Sequence, residues 1–166
     1  GRVWIAWSYD YHPQLFDEPE DTDQPSIFAR PVGVMAPLDE KIHLVGTRGR
    51  NQHAIDLWPS VAFDPAGNLW CAYDYSPLTR GQRGALVASF NGDRFAAPER
   101  VAMTEGDFAS PSLHVSGDGT KLLVWSQRVG ELWSVRGSLD TGSGWSPPKE
   151  IAASSGDWMT ITLLLL

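Results

Sequence analysis

Ser138-Leu139-Asp140-Thr141-Gly142-Ser143-Gly144-Trp145 fits the pattern SxDxGxxW at every specified position. The spacing describes a strand-turn device. Ser138 and Asp140 can bond the turn backbone, Gly142 can take positive φ without a Cβ penalty, and Trp145 can fold back as an apolar plug. One strand-like segment, Leu132 to Gly137, leads into the stretch and another, Trp145 to Ile151, leads out, so a tight hairpin is expected.

Outward from this turn the chain repeats itself. The segments GRVWIAW, GNLWCAY and GTKLLVW start at Gly1, Gly67 and Gly119, and each encloses a short apolar strand ending in an aromatic residue. Pro59 and Pro111 lie 52 residues apart, as do Gly67 and Gly119, whereas Gly1 and Gly67 lie 66 apart because longer loops intervene. A period of about 40 to 50 residues with four strands per unit predicts the blades of a β-propeller. The expected fold is all-β, with four-stranded antiparallel blades making about three blades of a six-bladed propeller in a single partial domain. With strands lettered A to D from the axis outward, the first blade, about residues 1–45, keeps B (Arg2 to Tyr9), C (Ile27 to Gly33) and D (Asp39 to Val45). The second, about 57–103, has A at Ser60 to Asp64, B at Leu69 to Tyr75, C at Ala85 to Asn91 and D at Pro98 to Met103. The third, about 110–152, opens its strand A at Ser112, and residues 157–166 read as the start of a further strand A.

Composition agrees with this architecture. The 166 residues are 42% hydrophobic and 20% charged, with eight tryptophans, twelve prolines and sixteen glycines and no long period-3.6 run. A net charge of −7 with thirteen dispersed basic residues argues against nucleic acid. No segment reaches the roughly 18 apolar residues of a membrane span. Cys71, the single cysteine, lies in an apolar strand pattern and reads as a small buried thiol.

SxDxGxxW resembles the Asp box, or BNR repeat, of sialidase-like β-propellers, with Ser138, Asp140, Gly142 and Trp145 at its specified positions. The resemblance implies a scaffold role for these four residues, on the face opposite the ligand site. Ser89 to Phe95, SFNGDRF, resembles a degenerate box one residue short. The resemblance also implies carbohydrate as the partner and a secreted or periplasmic location. In the family, catalysis rests on an arginine in an F/YRIP motif, a tyrosine paired with a glutamate, and an aspartate acid/base. Phe28-Ala29-Arg30-Pro31 departs from that motif by an inserted alanine and a missing isoleucine, so the family's catalytic residues are not carried over.

Loop lengths assign the working face. The A–B turns, Asp64 to Asn68 and Ser116 to Thr120, are tight, while the loops Asp10 to Ser26, Gly46 to Trp58 and Ser76 to Gly84 are long and share the other face. Tyr9-Asp10-Tyr11-His12 and Tyr73-Asp74-Tyr75 place aromatics beside a carboxylate near the end of strand B. Such a group can stack on a sugar while the acid bonds hydroxyls or moves a proton, or its tyrosines can pack between blades. Asp10 and Tyr9 are therefore the catalytic candidates, and Tyr11, His12 and Tyr75 binding candidates. Arg48, Arg50 and His53, with Arg80, Arg83 and Arg128, can converge on an anionic ligand through planar guanidinium forks. Asp17, Glu18, Glu20, Asp21 and Asp23 form a solvated acidic loop without a calcium-loop pattern, and no metal or other cofactor is expected. Asp56, Asp107 and Asp157 precede strand A in successive units and read as scaffold, bonding loop amides.

Two functions fit this reading: a carbohydrate-handling propeller module belonging to an exo-glycosidase, or a non-catalytic propeller that binds glycan or protein. Either needs its open sheet edges covered, by the rest of a longer chain or by a second copy.

Overall fold

The computed structural model describes residues 3–10, 25–32, 43–45, 54–77, 82–104 and 106–154. Every regular element among them is a β-strand. The first sheet is β1 (Val3–Asp10), β2 (Pro25–Val32) and β3 (His43–Val45). The second is β4 (Ala54–Phe63), β5 (Leu69–Pro77), β6 (Arg83–Ser89) and β7 (Glu99–Thr104). The third is β8 (Phe108–Val115), β9 (Lys121–Val129), β10 (Leu132–Asp140) and β11 (Lys149–Ser154). Each is an antiparallel meander in chain order, one of three strands and two of four. Together they form no closed ring, and residues 157–166 lie outside the described residues.

Side-chain alternation along the second sheet makes two cores. Leu69, Cys71, Tyr73, Leu86 and Ala88 pack against Ile27, Ala29 and Val45 of the first sheet. The intervening residues Ala72, Ala85 and Val87 pack the other way, against Phe108, Leu113, Leu123 and Trp125 of the third. A period of two thus gives a central sheet two buried faces. Small residues on one side receive large ones from the other: fully buried Trp125 stacks on Phe108 at 5.9 Å between ring centroids and 24°, opposite the alanines of β5 and β6. Sheet-to-sheet contact gathers at the first strand of each four-stranded sheet, with β4 meeting β1, β2 and β8. Ser60 Oγ also accepts a hydrogen bond from the Leu113 amide across the junction, at 3.0 Å.

The turns repeat as the strands do. Gly67 and Gly119 take φ of 85° and 87°, and the amide of each donates to the carbonyl three residues earlier, on Asp64 or Ser116, at 2.9 Å. A Cβ there would be strained by the backbone itself.

Two strand starts differ from expectation. β4 begins at Ala54, not Ser60, and β8 at Phe108, not Ser112. In each case the ladder to the next strand continues through a bulge, between Leu57 and Ser60 and between Ala109 and Ser112. The bulge takes up Pro59 or Pro111, which has no N–H to give the ladder, so the proline does not end the strand.

Candidate functional site

The SxDxGxxW turn forms one end of the third sheet. Asp140 Oδ1 accepts from the amides of Gly142 and Gly144 at 2.8 and 3.0 Å, and Ser138 Oγ donates to the Ser146 carbonyl at 2.6 Å. Gly142 and Gly144 both have φ near 100°, so the turn uses two left-handed glycines where the motif specifies one. Trp145 bridges back to Asp140 and packs its half-buried ring against the second core. Asp140 Oδ2 accepts from Lys121 Nζ at 2.8 Å, and both side chains are 11% exposed. The hydrogen bond from Lys121 holds the Asp140 carboxyl below the usual carboxylate range against the opposing effect of burial, and the two glycine amides add to it. The charges of Lys121 and Asp140 are thus matched within the junction of the second and third sheets.

In the corresponding turn of the second sheet, Phe90 bridges to Phe95, and Asn91 Oδ1 accepts from the amides of Asp93 and Arg94 at 3.1 and 2.9 Å. Asn91 therefore does the amide bonding that Asp140 does in the full motif.

The opposite end holds the long connections, and three side chains converge there. Arg83, at the start of β6, donates from Nη1 to Asp107 Oδ1 at 3.1 Å. Arg128, near the end of β9, places Nη1 3.9 Å from Asp107 Oδ2 and donates from Nη2 to Glu131 Oε2 at 3.2 Å. Asp107 thus joins guanidinium groups from two sheets. Its recurrence with Asp56 and Asp157 suggested a bond to loop amides; instead its carboxylate takes two arginines while its carbonyl accepts from the Arg128 amide at 2.9 Å. All three side chains are roughly half exposed, so the ion pairs add little stability. They fix direction more than they fix the fold.

Behind Asp107 the backbone is held firmly. Trp125 Nε1 donates to Gln127 Oε1 at 3.3 Å, Gln127 Nε2 donates to Thr104 Oγ1 at 2.9 Å, and that oxygen also accepts from the Gly106 amide at 3.1 Å. Gly106 passes so close to β9 that a Cβ on it would lie 2.1 Å from the Arg128 carbonyl oxygen. Only glycine lets the connection run this near the strand.

The tyrosine group is divided by the strand period. Tyr73 is fully buried, and Tyr75 packs half-buried against the same first core. Asp74, 3% exposed, projects to the other face and accepts from Ser76 Oγ at 3.3 Å. Tyr75 thus packs on the first core while Asp74 faces the other way, the packing alternative for this group. Tyr9 and Asp10 end β1, opposite Ser26 and Pro25, with their side chains outside the described residues. Tyr11, His12, Arg48, Arg50, His53 and Arg80 also lie outside them.

Trp58 was not singled out from sequence. It sits in the β4 bulge with φ of 51° and 43% of its surface exposed. Ser110, 52 residues on and likewise before proline, has φ of 53°. The signal was present in the paired Pro59 and Pro111. A left-handed residue other than glycine costs roughly 1 kcal/mol or more. Among the described residues no group of three or more His, Cys, Asp or Glu is placed to hold a metal ion, and no helix is long and apolar enough to cross a membrane. No protein-family model matches the chain, and no curated protein does.

Proposed function

We propose that this chain is an arc of a sialidase-like propeller that binds carbohydrate on the face bearing Arg83, Asp107 and Arg128. The observation that carries the reading is the junction of Arg83 and Arg128, from adjacent sheets, on the single carboxylate of Asp107. With Glu131 the cluster is charge-balanced and presents N–H donors beside carboxylate acceptors. That arrangement suits the vicinal hydroxyls of a sugar better than a second carboxylate, since both guanidinium groups already have an anionic partner. Trp58 supports the reading with an exposed indole on the first strand of the second sheet, of the kind on which a sugar face stacks.

The test is titration with a neutral glycoside, methyl β-galactoside, and an acidic sugar, N-acetylneuraminic acid, at low and high salt. Saturable binding of the neutral sugar with little salt dependence is expected, weakened about 10-fold or more in Arg83→Ala or Arg128→Ala, since each removes a charged hydrogen-bond donor. No binding of either sugar contradicts the reading. Binding of the acidic sugar alone, lost at high salt, would replace the hydroxyl reading by carboxylate recognition. Turnover of a fluorogenic glycoside that is abolished in Asp10→Asn would make the module a glycoside hydrolase.

A further inference from the structure

Asn91-Gly92 is the only Asn-Gly pair in the chain and Asp118-Gly119 the only Asp-Gly pair. Both fall in hairpin turns, Asn91 between β6 and β7 and Asp118 between β8 and β9. The side-chain carbonyl of a residue before glycine is open to attack by the glycine amide nitrogen, because no Cβ crowds that atom. At Asp118 the turn closes this reaction off. The Gly119 amide donates to the Ser116 carbonyl at 2.9 Å, and the Asp118 carboxylate accepts from Ser116 Oγ and, at 2.9 Å, from the Thr120 amide. These bonds, that of the Ser116 hydroxyl foremost, hold the carboxyl down to about 2, and an anion resists a nucleophile.

At Asn91 every one of these features is reversed. Asn91 and Gly92 are exposed, and among the described residues the Gly92 amide makes no hydrogen bond. Gly92 has φ of 99°, and a Cβ built on it would meet nothing within 4 Å, so solvent base reaches the turn. The side chain is a neutral amide, and its Oδ1 accepts from the amides of Asp93 and Arg94 at 3.1 and 2.9 Å. Those two donors draw electron density from Cγ and stand where negative charge develops when Cγ becomes tetrahedral. With Oδ1 held by the turn, Nδ2 is the leaving group. The turn itself is pinned, by the Asn91 amide on the Arg94 carbonyl at 3.1 Å and the Ala96 amide on the Ser89 carbonyl at 2.8 Å. By contrast Asn68 precedes the buried Leu69 and has its Nδ2 tied to Asp64 Oδ2 at 2.9 Å.

We infer that Asn91 is a self-modification site at which the folded turn converts the amide to a carboxylate. The Gly92 nitrogen loses its proton to solvent base and attacks Asn91 Cγ; the new N–C bond closes a succinimide as the Cγ–Nδ2 bond breaks, and Nδ2 leaves with a proton as ammonia. Water then opens the ring. Addition at Cγ restores the ordinary main chain with an aspartate at 91, whereas addition at the main-chain carbonyl gives isoaspartate and inserts a methylene into the backbone. The fold favours the first product. The inserted carbon would part Phe90 from Phe95, which bridge across the turn and pack at 5.2 Å between centroids, with Phe90 also 4.9 Å from the Trp4 ring. The aspartate instead keeps an acceptor for the same two amides and strengthens both bonds with charge, as Asp140 does in the full motif. This conversion is independent of the sugar reading and stands or falls without it.

Incubation in mildly alkaline buffer tests the inference, followed by ion exchange and by peptide mapping that separates aspartate from isoaspartate. The wild type is compared with itself held in urea and with Asn91→Gln and Asn91→Asp. The folded wild type should yield a species more acidic by one charge, altered at Asn91 ahead of Asn51 and Asn68, with aspartate as the main product and at a rate at least equal to that in urea. Asn91→Gln should yield no such species, since its longer side chain closes the ring far more slowly. Asn91→Asp should elute with the acidic species and unfold at a urea midpoint no lower than that of fresh wild type. Slower conversion in the folded chain than in urea, conversion first at Asn51 or Asn68, isoaspartate as the main product, or a lowered midpoint in Asn91→Asp overturns the inference.

Discussion

Lys121 Nζ lies 2.8 Å from Asp140 Oδ2 and 4.3 Å from the centre of the Trp70 ring, so one ammonium ties the SxDxGxxW turn of the third sheet to the second. Trp70 in turn donates from Nε1 to Asp64 Oδ2 at 3.2 Å, which extends the tie to the β4–β5 turn. Removing one partner of a buried pair leaves the other charged and unsatisfied. Asp140→Ala should therefore cost about 3 kcal/mol or more in urea unfolding. Asp140→Asn, which keeps an acceptor for the two glycine amides, should cost distinctly less. Equal losses would mean that the bonds to the two glycine amides contribute nothing and that the ion pair carries the whole effect.

Acid should expose the same carboxylate. The Asp140 pKa is depressed in the folded chain, so its contribution is complete above the unfolded value and is lost as pH falls through the folded one. Asp118 is held down to about 2 by hydrogen bonds from Ser116 Oγ and the Thr120 amide. Stability measured in urea should be flat down to about pH 5 and fall below it. In Asp140→Asn the fall should be shallower, and an unchanged slope would contradict the assignment.

The strained bulges make a different kind of claim. Ser110 holds a φ of 53° that glycine adopts freely. Ser110→Gly should leave stability unchanged or raise it by up to about 1 kcal/mol, because relief of strain offsets the added freedom of the unfolded chain. A loss of more than about 1 kcal/mol would show that the serine side chain, not the backbone bend, is what the position requires.

The repeat was legible in sequence because its turns need left-handed glycines at Gly67 and Gly119, and a recurrent backbone need leaves a recurrent residue. The bulges were not, since Pro59 and Pro111 read as strand breakers and only pairing on both sides of them shows that the ladder continues. Asp107 was legible as a recurring residue, but its partners were not. Arg83 lies 24 residues away on another sheet, and tertiary approach of that kind leaves no local spacing to read. Tyr73-Asp74-Tyr75 left packing and sugar stacking both open in sequence, because residues adjacent along a strand point to opposite faces and only the packed sheets show which face each one meets.

Cys71 is wholly buried, and burial pushes its thiol up to about 12. It should resist a thiol reagent at neutral pH in the folded chain and react at once in denaturant. Rapid reaction of the folded chain would mean that the first core opens readily.

The most direct test of the account is to map a bound sugar by nuclear magnetic resonance, following the tryptophan indole and arginine side-chain signals during titration with methyl β-galactoside. The account predicts shifts at Trp58, Arg83 and Arg128, with Trp70 and Trp145 at the opposite end unmoved. Shifts confined to Trp70, Trp145 and the SxDxGxxW turn would put the ligand on the scaffold face and contradict it.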